Sequence, residues 1–369
     1  MKKELVSDKQ VVSMIVLFIA GSTLMFDAGQ GAREDIWLAI ILAFIGGLLI
    51  SLVYGRILTL FPGKNLFQIC MVVFGRWIGS VLCFLYAFFG FFLATLVLFD
   101  YAEFMTIAGL SDTPKIISMI SLMLLVLWIM KEGIITLGRW CEFFVAFILI
   151  VILFKIPLFI PILDVDNLRP FLYNGVSPVL GAAKDTFTFP FAETVTFMCI
   201  FGEFKNEKSP YSIYRKGLFI GFGVVFVTSV MHALAIGPDE MLRAYFPPYK
   251  AFRLISYWHV VTRLEIVIAV GFVIGGFVKI TVCLTVCCKG ISEITSLKNY
   301  KLLVVPIGIL CIVITYSNFP GIIELKEWTL AVWSSWAVSF EVFMPVIILI
   351  ASEIKVRRDR KKKIRGVCV

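Results

Sequence analysis

Ten apolar stretches dominate this chain, at about 11–26, 36–60, 77–108, 116–130, 141–162, 178–201, 217–237, 263–287, 301–319 and 333–352. Crossing the hydrocarbon core of a bilayer, roughly 30 Å thick, takes about 20 helical residues, and most of the ten meet that requirement. The fourth is near the lower limit, and the third is long enough to tilt or to project beyond the bilayer. Lipid offers no hydrogen bonds, so a spanning backbone satisfies itself within a helix or a closed barrel. The runs are continuous rather than alternating, which selects helices. An all-α polytopic membrane protein with ten transmembrane helices follows. The chain has 369 residues, is 60% hydrophobic and has a mean hydropathy of +0.96. Its longest connections, 163–177 and 238–262, are too short for a soluble domain.

Lysine and arginine set the orientation. With the N-terminus inside, the inner segments hold Lys2, Lys3, Lys9, Arg56, Lys64, Arg76, Lys131, Arg139, Lys205, Lys208, Arg215 and Lys216, and further cations in the later loops and the tail. These outnumber the outer ones, among them Arg33, Lys115, Arg169, Lys184 and Arg243, so both termini are expected on the cytoplasmic side. Much of the net charge of +9 lies between Lys355 and Arg365, in a basic cytoplasmic tail over 353–369. That run directly follows a span and has no aromatic residue, which fits contact with anionic membrane lipid rather than nucleic acid.

The nine cysteines contain no C-x-x-C pair and there are only two histidines, so neither a metal site nor a disulfide framework is expected. Cys283, Cys287 and Cys288 read as thiols packed like small hydrophobes. Glu4 and Asp8 flank the first apolar stretch, and no small-x-small site closes it before Asp27, so it reads as a retained span. A Walker-type loop, a dinucleotide fingerprint, H-E-x-x-H and an elbow-type serine are all absent. No cofactor and no enzymatic activity are expected.

Two spans carry interruptions in corresponding halves of the chain. Gly21-Ser22-Thr23 breaks the first, and Phe189-Pro190-Phe191-Ala192-Glu193 breaks the sixth. Unwound backbone survives at membrane depth only where it lines a cavity or is buried in protein, and paired interruptions point to a binding site. The pattern Phe-Pro, four residues, Phe, one polar residue and an aliphatic occurs at Phe61–Ile69 and again at Phe246–Leu254. Both lie in matching slots of a five-plus-five inverted repeat, with repeats over about 10–162 and 178–352 of a single membrane domain. Each reads as a short amphipathic helix starting at a proline. The outer one, continuing through Ser256-Tyr257-Trp258-His259, suits either a lid or an interfacial anchor.

A helix restarting after Gly21-Ser22-Thr23 presents N–H groups to an anion, with Ser22 and Thr23 adding hydroxyls. The competing reading is a small-residue patch for close packing. Pro190 removes a helical hydrogen bond, and Glu193 beside it needs water, a cation or a donor. Lys279 lies deep in the eighth span and must find Glu193, Glu341 or a ligand carboxylate. Asp100 and Glu103 share a helix face near the end of the third span, with Arg263 or Arg243 as candidate partners. Phe89, Phe92, Leu93 and Leu96 occupy the middle of that span, facing a pocket or simply the core. Gly75/Gly79, Gly217/Gly221 and Gly271/Gly275 are close-packing patterns, and His232 reads as a hydrogen-bonded structural histidine. The candidate ligand-binding set is Gly21, Ser22, Thr23, Phe89, Leu93, Phe189, Pro190, Glu193 and Lys279.

At these residues the chain resembles the B subunit of bacterial spore germinant receptors, a branch of the amino acid/polyamine/organocation permease superfamily. The resemblance covers nearly the whole chain. It rests on Phe61-Pro62-Gly63-Lys64-Asn65-Leu66-Phe67, Asp166-Asn167-Leu168-Arg169-Pro170, Phe189 to Glu193, Phe246-Pro247 through Ile255-Ser256, and Arg263-Leu264-Glu265. It implies a LeuT-like five-plus-five fold with helices one and six discontinuous, and a germinant site between spans one, three, six and eight. It also implies an A-type membrane subunit and a C-type lipoprotein subunit as partners, in the inner membrane of the spore. The superfamily's first break usually reads Gly-Ser/Thr-Gly. Thr23 replaces its last glycine, which weakens the case for an amino acid carboxylate there.

Three functional readings follow. The chain is a sensor that binds a small nutrient germinant, such as an amino acid or similar metabolite, and signals to partner subunits through a conformational shift. Alternatively it is an ion-coupled amino acid transporter. As a third option it is a structural partner with a vestigial pocket, in which case Gly21→Trp and Pro190→Ala would leave ligand response intact.

Overall fold

The computed structural model describes residues 5–24, 26–109, 111–204, 209–255, 265–318 and 321–364. The helices are α1 (Asp8–Thr23), α2 (Ile36–Leu60), α3 (Leu66–Ala108), α4 (Lys115–Glu132), α5 (Ile134–Phe159), α6 (Val176–Thr186), α7 (Pro210–Ile236), α8 (Pro238–Arg243) and α9 (Pro247–Arg253). They continue with α10 (Glu265–Thr295), α11 (Val304–Asn318), α12 (Ile322–Trp328), α13 (Ser334–Val338) and α14 (Met344–Ile364). Among the described residues the one strand-like contact is an isolated bridge between Val6 and Phe204. Seven stretches are long and apolar enough to cross a membrane: Gln30–Leu60, Leu66–Ala108, Ile134–Ile162, Pro210–Ile236, Ala269–Thr295, Tyr300–Asn318 and Ile322–Lys361. The other three predicted spans correspond to α1, α4 and the irregular segment that begins at α6.

Local chemistry sets the helix ends. Ser7 caps α1 by accepting the Gln10 N–H at 3.3 Å, while Gln10 Oε1 accepts the Ser7 N–H at 3.1 Å. At the other end, the Thr23 hydroxyl folds back to the carbonyls of Ile19 and Ala20, 3.3 Å from each. α1 has 16 residues, about 24 Å of helix, and so ends short of a full crossing. Helix one is discontinuous, but not at Gly21-Ser22-Thr23: α1 runs through Thr23, and the next described helical turn begins at Gln30. Those three residues form the last helical turn.

α3 also departs from expectation. It starts at Leu66 behind an Asn65–Gln68 capping box rather than at Pro62, because Asn65 can accept the Gln68 N–H at 2.9 Å. A single residue, Gly75 at φ +78°, then turns the first two helical turns away from the long remainder. α9 does start at its proline, Pro247. Residues 256–259 of the expected lid lie outside the described residues. In the outer connection Lys250 pairs with Glu240, and that ammonium holds the Glu240 carboxyl below its ordinary range. The basic tail continues α14 as helix through Ile364, and Arg56 on α2 ties its start to Glu353 at 2.5 Å.

α10 lies at the centre, packed against α3 and α1. Small residues allow these crossings. A Cβ built on Gly21 would sit 2.5 Å from the Gly275 carbonyl carbon, and those on Gly217 and Gly221 would meet Ile15 and Ile19 at 2.6 and 2.8 Å. Of the two readings of the 21–23 patch, close packing is therefore the role that Gly21 visibly plays. α4, α5 and α11 turn exposed side chains such as Leu124, Phe143, Phe154 and Val313 outward, as a lipid-facing surface does. The eight cysteines among the described residues are free and buried.

The Gly21–Gly275 crossing yields a test. Gly21→Ala forces two backbones apart, and overpacking of this kind costs about 1–3 kcal/mol. Gly181 has open space around its Cβ position, so Gly181→Ala is the control. Thermal unfolding in detergent should drop clearly for the first and hold or rise for the second. Equal midpoints would refute the crossing. Gly21→Trp, for the same reason, reports on folding rather than on ligand response.

Candidate functional site

The sixth span is where sequence departs most from a regular helix. α6 ends at Thr186 after 11 residues, giving way to a π turn over Phe187–Phe191 and 3-10 turns over Ala192–Cys199. Pro190 has no N–H to give, and Phe189 before it takes an extended conformation (φ −140°, ψ 104°). The freed carbonyls are met by hydroxyls. Thr194 donates to Phe191 O at 2.7 Å and Thr196 to Glu193 O at 2.9 Å. Tyr54 of α2 reaches Ala192 O at 3.1 Å, and Tyr214 of α7 reaches Thr194 O at 3.3 Å. The threonines in Phe-Ala-Glu-Thr-Val-Thr-Phe thus serve the unwound backbone, not a ligand.

The interruption after α1 faces the same region. Ser229 on α7 accepts the freed Ala28 N–H at 3.1 Å, and Gly29 turns the chain at φ +76°. Between the two interruptions lies a cavity of about 210 Å³. Its walls are the 26–31 segment, α3 from Leu93 to Asp100, α6 with Phe189, and the last span from Ile322 to Ser334, with Tyr245 at one side. The last span lines this cavity, and no described residue of span eight is in its wall.

Of the residues singled out in the sequence, Leu93, Leu96, Asp100 and Phe189 line this cavity. Gly21 and Thr23 sit one helical turn away in α1, and the Ser22 side chain lies outside the described residues. Phe89 is fully buried among the rings of Trp333, Trp336 and Phe340. Pro190 is buried behind Phe189.

Glu193 and Lys279 come together elsewhere. Lys279 Nζ lies 2.6 Å from Glu193 Oε2, both side chains fully buried. The ammonium also sits 4.3 Å from the Phe189 ring and 5.1 Å from that of Phe18. Phe189 therefore stands between the cavity and the ion pair. Glu341, the other candidate partner, feels the charges of both residues and is buried with neither oxygen bonded among the described residues. Glu103 pairs with Lys115 rather than with Arg243, and Arg263 lies outside the described residues.

Sequence reasoning missed Asp27, Asp185, Lys326 and Trp333, all in the cavity wall. Asp27 was findable: it is an acid at the end of a span, two residues before Gly29-Gln30-Gly31. His232 is indeed hydrogen-bonded. Its Nδ1 is 2.7 Å from Asp27 Oδ1 and its Nε2 is 2.5 Å from Lys155 Nζ. The Asp185 carboxylate accepts the Ser334 hydroxyl.

Known proteins resemble this chain from end to end. A family described as "Spore germination protein" matches residues 5–320. Spore germination protein KB of Bacillus subtilis is 27% identical over 367 residues, 98% of either chain. Two others from that organism, spore germination proteins YndE and A2, are 20% and 23% identical, covering 61% and 59% of this chain and 61% and 60% of their own. Among solved structures, Mhp1, a nucleobase-cation-symport-1 family transporter closed around bromovinylhydantoin, superposes with a TM-score of 0.68 at 12% identity. The match covers 94% of this chain and 78% of Mhp1. A manganese transporter of Eremococcus coleocola gives 0.55 at 12% identity, over 95% and 84%. The fold is that of these transporters.

The ion pair gives the second test. Lys279→Met leaves Glu193 buried without its cation, a change worth about 3–5 kcal/mol, whereas neutralising both partners is far milder. Thermal unfolding should fall steeply for Lys279→Met and recover most of the loss in Lys279→Met/Glu193→Gln. A double variant as weak as the single one would show that the pairing is not what holds these charges.

Proposed function

Because the chain belongs to the spore germination protein family, we propose that it is the germinant-sensing membrane subunit of a germination receptor, binding a small amino acid-like metabolite between its interrupted helices. The observation that carries this reading is the cavity of about 210 Å³ placed between both interruptions. A site there touches α3, α6, the segment after α1 and the last span at once. A ligand that fits one arrangement of these elements better than another shifts the balance between them, which is all that signalling requires. In this reading the partners are an A-type membrane subunit and a C-type lipoprotein subunit. The protein sits in the inner membrane of the spore with both termini cytoplasmic, and the single domain is built from an inverted repeat over 10–162 and 178–352.

Phe189 and Leu93 contact the ligand, while Glu193 and Lys279 act one layer back, behind the Phe189 ring. Gly21, Ser22, Thr23, Phe89 and Pro190 support the pocket from their places in α1, α3 and the sixth span.

A second reading, an ion-coupled transporter of the same solute, is favoured by the superposition on Mhp1. Vesicles reconstituted with this chain and given labelled amino acids separate the two. Saturable binding without accumulation supports sensing, and concentrative uptake driven by an ion gradient supports transport. Leu93→Trp, which fills the cavity, should weaken binding by at least about tenfold, the equivalent of about 1.4 kcal/mol, with the protein still folded. Unchanged binding in that variant would remove this cavity from consideration.

A further inference from the structure

Glu341 stands in the π turn Ser339–Phe343 of the last span, fully buried. Neither of its side-chain oxygens has a hydrogen-bond partner among the described residues. The unwound segment Ala192–Cys199 of the sixth span packs directly on this turn. In that segment Glu193 gives Oε2 to Lys279, and its Oε1 likewise has no partner among the described residues. Of the charges acting on Glu341, that of Glu193 is the largest, ahead of that of Lys279. Two carboxyl groups and one ammonium are thus shut into the same part of the core, with three carboxyl oxygens lacking a donor.

The hydroxyls that reach this turn serve its backbone. Tyr54 of α2 lies 2.6 Å from Glu341 O and 3.1 Å from Ala192 O, and Tyr86 of α3 donates to Phe340 O at 3.1 Å. One phenol therefore touches the carbonyl of Glu341 and that of the residue before Glu193, which holds the two acids' main chains side by side. α13 brings no titratable residue, and the first in α14 is Glu353, paired with Arg56 at 2.5 Å. Among the described residues, the titratable groups acting on Glu341 are Glu193, Lys279, Tyr54 and Tyr86. Cys283, one turn further along α10, acts on the Glu193–Lys279 pair. With Glu193, Lys279 and Glu341 all ionised, this dry cluster would carry one net negative charge. An isolated buried carboxylate of that kind takes up a proton instead, and two carboxyl groups sharing a site hold one between them. The described residues contain no group of three His, Cys, Asp or Glu able to hold a metal, and the Lys279 ammonium repels any metal cation.

We propose that Glu341 and Glu193 form a proton-binding site, in which one proton carried by Glu341 is shared with Glu193 and joins the last span to the sixth. The proton neutralises the cluster and turns one acceptor into a donor, so two of the three orphaned oxygens satisfy each other. Lys279 keeps Glu193 ionised and able to accept. When the proton leaves for water, two carboxylates face one another and the joint opens. Each partner belongs to a span that also contributes cavity wall, Phe189 in the sixth and Ile322 to Ser334 in the last.

Infrared spectroscopy of the purified full-length chain in lipid nanodiscs at neutral pH tests this, because a protonated carboxyl has a C=O stretch well separated from that of a carboxylate. Labelling the glutamates with heavy carbon shifts their band away from that of the aspartates. The unaltered protein should show a glutamic acid band that Glu341→Gln abolishes. Glu193→Gln should abolish it too, although Glu341 is still present, because Lys279 then turns to Glu341 and ionises it. Unfolding carries Glu341 into water, where a glutamate is ionised at neutral pH, so the folded state binds one proton more and its stability falls as pH rises. The unfolding temperature of the unaltered protein should therefore drop with rising pH relative to that of Glu341→Gln, whose amide mimics the neutral acid. Spectra that coincide for the unaltered protein and Glu341→Gln, or pH profiles of unfolding that run parallel, overturn the proposal. A band that survives Glu193→Gln overturns the sharing. Should Glu341→Gln fail to fold, the labelled unaltered protein and Glu193→Gln decide: no glutamic acid band in the first, or the same band in both, overturns the site.

Discussion

Hydrocarbon supplies no partner for a freed carbonyl or N–H, and the centre of this molecule is arranged around that constraint. The two interrupted spans expose backbone that must be satisfied from within. Hydroxyls do it: Thr194 and Thr196 from the segment itself, Tyr54 and Tyr214 from neighbouring helices, and Ser229 for the amide of Ala28. The same Tyr54 hydroxyl lies 2.6 Å from Glu341 O, at a π turn of the last span. Irregular backbone in three places is thus held by side chains of α2 and α7. The cavity exists because helices that stop short cannot fill the space beyond their ends.

Two charge systems flank that cavity. Asp27, His232 and Lys155 join the end of helix one to α7 and α5. Glu193 and Lys279 join the sixth span to α10. Each system brings a positive and a negative group together inside the protein, which is the condition for tolerating them at such depth. Phe189 borders the cavity on one side and the Lys279 ammonium on the other. Its extended backbone, forced by Pro190, places an aromatic ring rather than a helical carbonyl at that boundary.

Much of the architecture was legible because hydropathy and backbone satisfaction are local properties. The helical class and the break at Phe189-Pro190 could be read directly, since proline's effect is set by its own covalent structure. The first break was misplaced by three residues. Gly21-Ser22-Thr23 looks like a weak point, but glycine in lipid also permits contact, and the partner, Gly275, lies more than 250 residues away in sequence. The site was harder. Phe89 and Lys279 have the right chemistry for a pocket, yet which way they point depends on helix rotation. Asp185 and Ser334 meet only because the last span folds back beside α6, and nothing local in the sequence announces that neighbour.

The last span combines two features that have so far been separate. Its first turns, Ile322 to Ser334, form a cavity wall, and its far end, through Lys361, is a row of cationic side chains. Helical and π turns link the two without an intervening loop. Under the proposed function, a ligand that shifts the cavity wall also shifts the segment that carries the cationic row, and the groups facing that row would meet a changed electric field.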